Sequence, residues 1–224
     1  MTTLTGPERP AASGDADSLV IFLHGYGADG NDLIGLAEPL APYLPGTRFL
    51  APNAPERCAN NPMGYQWLPI PWLDGSSQVD ATASMFRAFD TLGAWLDHVA
   101  AEVMPPERTV VIGFSQGTMM ALQVLPRRAP PVAGLVGFSG RLLNPDRLAT
   151  EIVSRLPMLL VHGDADPMVP VSSLPEAASA LRAAGVPVET HVSPDVGHGI
   201  APDGLSLALA FARARLGVSD AAKS

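Results

Sequence analysis

The order of apolar runs in this chain predicts an α/β fold, a mostly parallel central sheet with helices on both faces and no separate cap domain. Three observations carry that expectation. Short strand-like runs alternate with helical stretches along most of the sequence, the pattern of a parallel sheet wrapped by crossover helices. A chain of 224 residues suits one such domain, which at this size buries about 70% of its unfolded surface. Thr109-Val110-Val111-Ile112 runs into Gly113-Phe114-Ser115-Gln116-Gly117 and then a helical stretch from Thr118 to Leu125, stopped by Pro126, so strand, sharp turn and helix follow without a gap.

Taken in order, residues 1–18 are rich in Pro, Gly, Ser, Asp and Thr and read as a flexible tail. Leu19 to Leu23 is a buried strand that runs into His24-Gly25-Tyr26-Gly27, and Asp32 to Leu40 is helical. Arg48 to Ala51 is the next strand. Ser77 and Asp80 resemble a capping box, and Phe86, Phe89, Leu92, Leu96, Val99 and Val103 recur every three or four residues behind it, an apolar stripe that ends near Pro105-Pro106. Strand-like runs follow at Thr109 to Gly113, Val132 to Phe138, Pro157 to Val161 and Val188 to Val192, and a last helix spans Gly204 to Leu216. Residues 19–216 are thus expected to form a single domain, with 217–224 as a C-terminal tail. No internal repeat or interdomain linker interrupts this order.

Composition removes several classes of function. A formal net charge of −8 with no Lys/Arg cluster argues against nucleic acid and anionic membrane as partners. Cys58 stands alone, so an intrachain disulfide or thiolate metal cluster is excluded, and it reads as an inert loop thiol. There is no apolar leader segment, and the longest apolar runs fall far short of a bilayer span, so the expectation is a cytoplasmic protein without integral membrane association.

The turn at Ser115 carries the chemistry. A serine held between strand and helix has a strained backbone that lifts its hydroxyl clear of the sheet, and glycines two before and two after let the two elements pass closely. Serine needs a base to remove its proton, and the base needs an orienting carboxylate. Later in the chain, Val161-His162-Gly163-Asp164-Ala165-Asp166 places two carboxylates at a strand end. Five histidines are available: His24 and His98 precede the serine, His162 precedes the acids, and His191 lies within a strand-like run. His198, between Gly197 and Gly199 in a loop before the last helix, is the expected base. A tetrahedral intermediate also needs two N–H donors. Gln116, which follows the serine, supplies one, and Leu23, at the strand end before His24-Gly25-Tyr26-Gly27, is the candidate for the other.

Together, His24-Gly25-Tyr26-Gly27, Gly113-Phe114-Ser115-Gln116-Gly117, His162-Gly163-Asp164-Ala165-Asp166 and Gly197-His198-Gly199 resemble the bacterial carboxylesterase and acyl-protein thioesterase family of α/β-hydrolases, from about Leu19 to Leu216. The resemblance implies Ser115 as nucleophile, Asp166 as acid, His198 as base and the amides of Leu23 and Gln116 as oxyanion hole, with no cofactor. It implies a serine esterase acting on short- to medium-chain carboxylic esters, with lysophospholipids or acyl-protein thioesters as alternative substrates of the same triad, and it admits a homodimer. Gly64-Tyr65-Gln66-Trp67-Leu68-Pro69-Ile70-Pro71-Trp72 looks like a bacterial esterase branch rather than the thioesterases that deacylate proteins.

Rival readings lack their confirming context. Gly25-Tyr26-Gly27-Ala28-Asp29-Gly30 matches a dinucleotide-binding Gly-x-Gly-x-x-Gly, yet Ala51-Pro52-Asn53 stands where a ribose-binding acid belongs. Val136-Gly137-Phe138-Ser139-Gly140-Arg141 imitates the first serine turn, but Arg141 replaces its second glycine. His162, Asp164, Asp166 and His198 suit a divalent metal by type, although metal chemistry needs no serine turn, and no metal is expected. The stretch from Asn53 to Ser76 has no periodicity and carries Trp67 and Trp72. Loops of this length in compact domains are usually functional, and these two tryptophans are the candidate walls of an apolar acyl pocket, with packing of the loop itself or a dimer contact as the alternative.

Overall fold

A computed structural model describes residues 4–218. Its strands are β1 (Glu8–Arg9), β2 (Ser18–Leu23), β3 (Thr47–Leu50), β4 (Glu56–Arg57), β5 (Tyr65–Gln66), β6 (Thr109–Phe114), β7 (Gly134–Phe138), β8 (Met158–Gly163) and β9 (Val188–Ser193). Its helices are α1 (Gly30–Ile34), α2 (Ala37–Leu40), α3 (Pro71–Asp74), α4 (Gln78–Glu102), α5 (Gln116–Val124), α6 (Pro145–Glu151), α7 (Ser173–Ala183) and α8 (Pro202–Leu216). Seven strands form one sheet in the order β1-β3-β2-β6-β7-β8-β9, parallel throughout except for β1 against β3. β4 and β5 form a separate hairpin.

The period-two geometry of a strand sends successive side chains to opposite faces. Leu19, Ile21, Leu23, Val111, Leu135 and Leu160 enter one core with Leu92, Trp95, Leu96 and Val99 of α4, Met120 of α5 and Leu181 of α7. Val20, Phe22, Val110, Ile112, Val136 and Val161 enter the other with Leu40 of α2 and Ala208, Phe211 and Leu216 of α8. Both faces are therefore covered, as the alternation of runs predicts. The parallel register carries His24, Ser115, Ser139, Asp164 and the segment after Ser193 out at the same edge, the carboxyl ends of the strands, where open α/β sheets bind ligands.

Three expectations change. The described part of the N-terminal segment does not hang free: Leu4 and Ala11 are buried, β1 pairs with the edge of β3, and Ala51 N–H and Asn53 N–H donate to the carbonyls of Pro7 and Thr5. An exposed edge strand leaves backbone groups without partners, and this polar, aperiodic segment supplies them. Second, α4 is capped as expected, with Ser77 Oγ accepting from Asp80 N–H at 3.0 Å, but its buried face starts with Ala81, Ser84 and Ala88, while Phe86 is exposed and packs edge-on against Phe89. Small residues let the first half of the helix approach closely; Phe89 packs partly buried against the core, and Phe86 falls outside that face. Third, the long loop holds the β4–β5 hairpin and α3. Of the tail expected at 217–224, residues 219–224 lie outside the described residues.

The closest approach in the domain is at Gly117, where an added Cβ would stand 1.9 Å from the carbonyl oxygen of Leu23; at Gly113 it would stand 2.6 Å from Thr118 N. Both conflicts are with backbone, which cannot swing aside. Gly117→Ala is expected to force α5 off β2, lowering the melting temperature by several degrees through about 1–3 kcal/mol of overpacking. A melting temperature within one degree of wild type would show that the crossing has slack.

Candidate active site

Ser115 sits between β6 and α5 at φ 52 and ψ −116, in the left-handed half of backbone space that a side chain rarely tolerates. The strained turn is pinned at both ends, since Ser115 N–H donates to Phe138 O at 2.9 Å and Ser115 O accepts from Met119 N–H at 3.1 Å. Its side chain opens onto a cleft of about 240 Å³ that His198 also lines.

His198 Nδ1 lies 2.7 Å from Asp166 Oδ2. The Asp166 side chain is fully buried, and its other oxygen accepts the N–H groups of Met168 at 2.8 Å and Val169 at 2.9 Å. Burial pushes its carboxyl upward, but the His198 hydrogen bond and these two amides outweigh it and hold Asp166 below the usual carboxylate range. An ionised carboxylate can only accept, so Nδ1 of His198 carries the hydrogen and Nε2 is the nitrogen whose lone pair the neutral ring offers. The ring of Phe114 packs 4.9 Å from that of His198. His162 braces the same loop from within the core: Nε2 donates to Val169 O at 2.9 Å and lies 3.4 Å from Asp166 Oδ2.

Of the other sequence candidates, Asp164 is exposed and does not reach His198. His191 pairs at the surface with Asp203 at 2.7 Å, joining β9 to the first turn of α8. Ser139 shares the turn geometry at φ 47 but is 1% exposed, and its hydroxyl has no hydrogen-bond partner among the described residues. The glycine-rich turn at 25–30 is filled by the protein itself, because Gly30 N–H donates to Asn53 Oδ1 and the Asp29 carboxylate takes the N–H groups of Asn31 and Asp32. The amides from Asp29 to Asp32 at the start of α1, where a pyrophosphate would sit, are thus already taken. Among the described residues no group of three His, Cys, Asp or Glu side chains is placed to hold a metal ion.

Two sequence assignments need correction. Leu23 is still a β2 residue in register with Gly113, is buried and does not border the cleft. The backbone that does is Gly25-Tyr26: an added Cβ at Gly25 would stand 3.2 Å from Ser115 Cβ, and Tyr26 lines the cleft beside Gln116. Gly27 N–H and Ala28 N–H are engaged by Tyr65 O and Gly25 O, whereas no described group accepts the Tyr26 N–H. Gln116 N–H, at the first position of α5, has no intrahelical acceptor.

Trp67 does not wall the cleft either. It is wholly buried behind the serine turn, where its indole Nε1 donates to His24 O at 2.9 Å and its N–H to Gln116 Oε1 at 3.1 Å. A buried indole needs an acceptor, and the carbonyl at the end of β2 is the one in reach. Gln116 Nε2 completes this clamp by donating to Leu68 O at 2.8 Å. Trp72, in α3, is 74% exposed at the mouth of the cleft with Leu73 and Met168. His24 closes the network: Nε2 accepts from Ala54 N–H at 2.9 Å, so Nδ1 carries the hydrogen and donates to Gly25 O at 2.7 Å.

Residues 9–216 match the model of the phospholipase/carboxylesterase family. Acyl-protein thioesterase 1 of Gibberella zeae is 30% identical over 226 residues, covering 92% of this chain and 94% of its own. Esterase YpfH of Escherichia coli K12 is 25% identical, covering 91% and 83%. The crystal structure of esterase PE8 superposes with a TM-score of 0.90 at 42% identity, covering 96% of this chain and all of the other. No helix among the described residues is long and apolar enough to cross a membrane.

Burial lowers the pKa of His24 from the ordinary 6.5, against smaller raising effects of Gly25 O, Asp29 and Asp32. Below that pH the unfolded chain takes up a proton that the folded chain refuses, so the stability His24 contributes is complete above about pH 6.5 and is lost as pH falls. Melting temperature is expected to drop between pH 7.5 and 5 with a steeper slope in wild type than in His24→Gln. Equal slopes would show that His24 is not the group responsible.

Proposed function

This chain belongs to the phospholipase/carboxylesterase family and is a serine hydrolase of carboxylic esters, and we propose that Ser115, His198 and Asp166 perform its chemistry at the cleft described above. One observation carries the assignment: a serine on a strained strand-to-helix turn faces the same cleft as a histidine whose far nitrogen is held at 2.7 Å by a buried carboxylate. In this reading His198 Nε2 takes the Ser115 proton as the oxygen attacks the ester carbonyl. Asp166 keeps the imidazole in the required tautomer and stabilises its charged form. The N–H groups of Gln116 and Tyr26 hold the oxyanion, as fixed donors that need no reorganisation during the reaction. His198 then returns the proton to the leaving alcohol, and water releases the acyl group by the same route.

The acyl chain lies along Leu68, Ile70, Met119 and Trp72, an apolar lining whose volume suits short to medium chains. A thioester presents the same carbonyl, and the fungal relative bears the name of an acyl-protein thioesterase, so the substrate panel includes thioesters.

A fluorophosphonate probe is expected to label Ser115 alone. Ser115→Ala should lower turnover by several orders of magnitude and Asp166→Asn by roughly 10³–10⁴-fold, from loss of the correct tautomer. Ser139→Ala should stay active, and its melting temperature should not fall, because the hydroxyl it loses has no partner. An adduct mapped to Ser139 by mass spectrometry would overturn the assignment.

Chain-length selectivity separates the two tryptophans. Each methylene that loses its wall forfeits up to about 0.8 kcal/mol. Trp72→Ala should therefore shift the kcat/KM ratio between p-nitrophenyl decanoate and acetate several-fold while leaving stability intact. Trp67→Ala should instead lower the melting temperature, by removing a buried side chain that anchors the loop. A stable Trp67→Ala variant, or a Trp72→Ala variant with unchanged ratios, would contradict these roles.

A further inference from the structure

The lining of the cleft is apolar or neutral except for His198 and one permanently charged group, Arg141. Among the described residues Arg87 pairs with Glu56, and Arg57, Arg155, Arg182 and Arg215 find carbonyls or aromatic rings. Arg48 pairs with Glu8, Arg108 with Asp17, Arg127 and Arg147 with Glu151, and Arg128 with Asp97. Arg141 has no carboxylate, carbonyl or aromatic partner among the described residues. Its backbone, by contrast, is fixed. Ser139 at φ 47 and Asn144 at φ 50 hold left-handed conformations on either side, and Gly140 is pressed against Thr118 so closely that a Cβ would stand 2.4 Å from the Thr118 methyl. Strain held at both ends of a short segment marks a position that the surrounding structure determines.

We propose that Arg141 is a specificity-determining residue that binds a carboxylate at the far end of the acyl chain, so that the preferred substrates are half-esters of dicarboxylic acids. The proposal rests on Ser115 as the nucleophile. The planar fork of arginine matches a carboxylate with two parallel hydrogen bonds. One guanidinium balances one negative charge; a phosphate dianion would call for further donors, and the lining holds no second cation. The acyl side follows from His198. A separate recess of about 220 Å³ is formed by Phe114, packed on the His198 ring, by Ile200 two residues further on, and by Gly25 and Ala28. The group that receives the proton from His198 is the leaving alcohol, which places the alcohol in that recess. The acyl chain then runs the other way, along the Leu68, Met119 and Trp72 lining and past Leu143 and Met168 to Arg141.

The test compares mono-p-nitrophenyl adipate with its ω-methyl ester as substrates of wild type, Arg141→Lys, Arg141→Ala and Arg141→Glu. Wild type is expected to favour the acid by about tenfold to a hundredfold in kcat/KM, the factor of a charge-assisted hydrogen bond. The preference should weaken at high ionic strength, survive in part in Arg141→Lys, vanish in Arg141→Ala and invert in Arg141→Glu. An unchanged ratio in Arg141→Ala, with the methyl ester still hydrolysed, would overturn the role of Arg141 while leaving that of Ser115 intact. Undiminished hydrolysis by Ser115→Ala would remove the nucleophile itself. Hexanoate esters of 4-hydroxybenzoate and of its methyl ester form the second arm, and an arginine-dependent preference there would overturn the acyl-side placement.

Discussion

The crossing of α5 over β2 is the constraint on which the rest of the site depends. Gly117 brings the first turn of the helix against the Leu23 carbonyl at a distance no side chain permits. A helix seated that close cannot leave β6 smoothly, so the chain must reverse within one residue. That residue is Ser115, held at positive φ by hydrogen bonds from both sides. The strain at the serine is thus a consequence of helix packing, and the burial of α5 between sheet and α4 stabilises it. The same seating places Gln116, the first residue of the helix, in the lining of the cleft.

Gln116 links this crossing to the loop above it. Its amide side chain holds the backbone of Trp67 and Leu68, Trp67 holds the carbonyl of His24, and His24 holds Ala54 and Gly25. All of these bonds but the local one from His24 to Gly25 join segments far apart in sequence, so the Gly25-Tyr26 peptide and the Gln116 amide cannot drift independently. A buried network of this kind is stabilising only when every member is satisfied. Protonation of His24 would convert the acceptor of Ala54 N–H into a donor, which explains why the ring must stay neutral. The upward pressure on the Tyr26 phenol, from burial and then from Cys58 and Asp74, keeps that side chain uncharged at the edge of the same network.

Much of this was legible in the sequence because it follows from short-range rules. The parallel strands announce themselves as apolar runs, α4 by its Ser77 cap, and Ser115 by flanking glycines whose need is steric. The order of the chain points to His198, but it offers Asp164 and Asp166 alike, and only the resemblance to the family singles out the carboxylate that the structure places against His198. What could not be read depends on contacts between distant segments. The described N-terminal residues have no periodicity of their own and gain order from the edge of β3, the backbone after it and the core that receives Leu4. Trp67 and Trp72 are five residues apart in one loop, and nothing local says that the first will find the His24 carbonyl while the second faces outward. Leu23 and Tyr26 differ by three positions, and which amide clears the sheet depends on where β2 stops pairing with β6.

The near-duplicate turn at Ser139 shows how packing decides between two similar sequences. Both serines end parallel strands in register and both adopt positive φ. At the first turn the glycine of position 117 meets an open carbonyl of β2, and a helix can begin. At the second, the space is already taken by the first: Thr118 Oγ1 donates to Phe138 O at 2.8 Å, and its methyl lies against Gly137 and Gly140, where a Cβ would come within 2.6 and 2.4 Å. The glycines of the second segment therefore receive α5 and launch no helix of their own. Without a helix to enter, the chain turns at Gly140 and runs along the rim of the cleft as far as Asn144, where α6 starts. A repeat of the serine turn thus becomes the cradle of the turn at Ser115, and the position that would be its second glycine becomes available for a side chain of a different kind, Arg141.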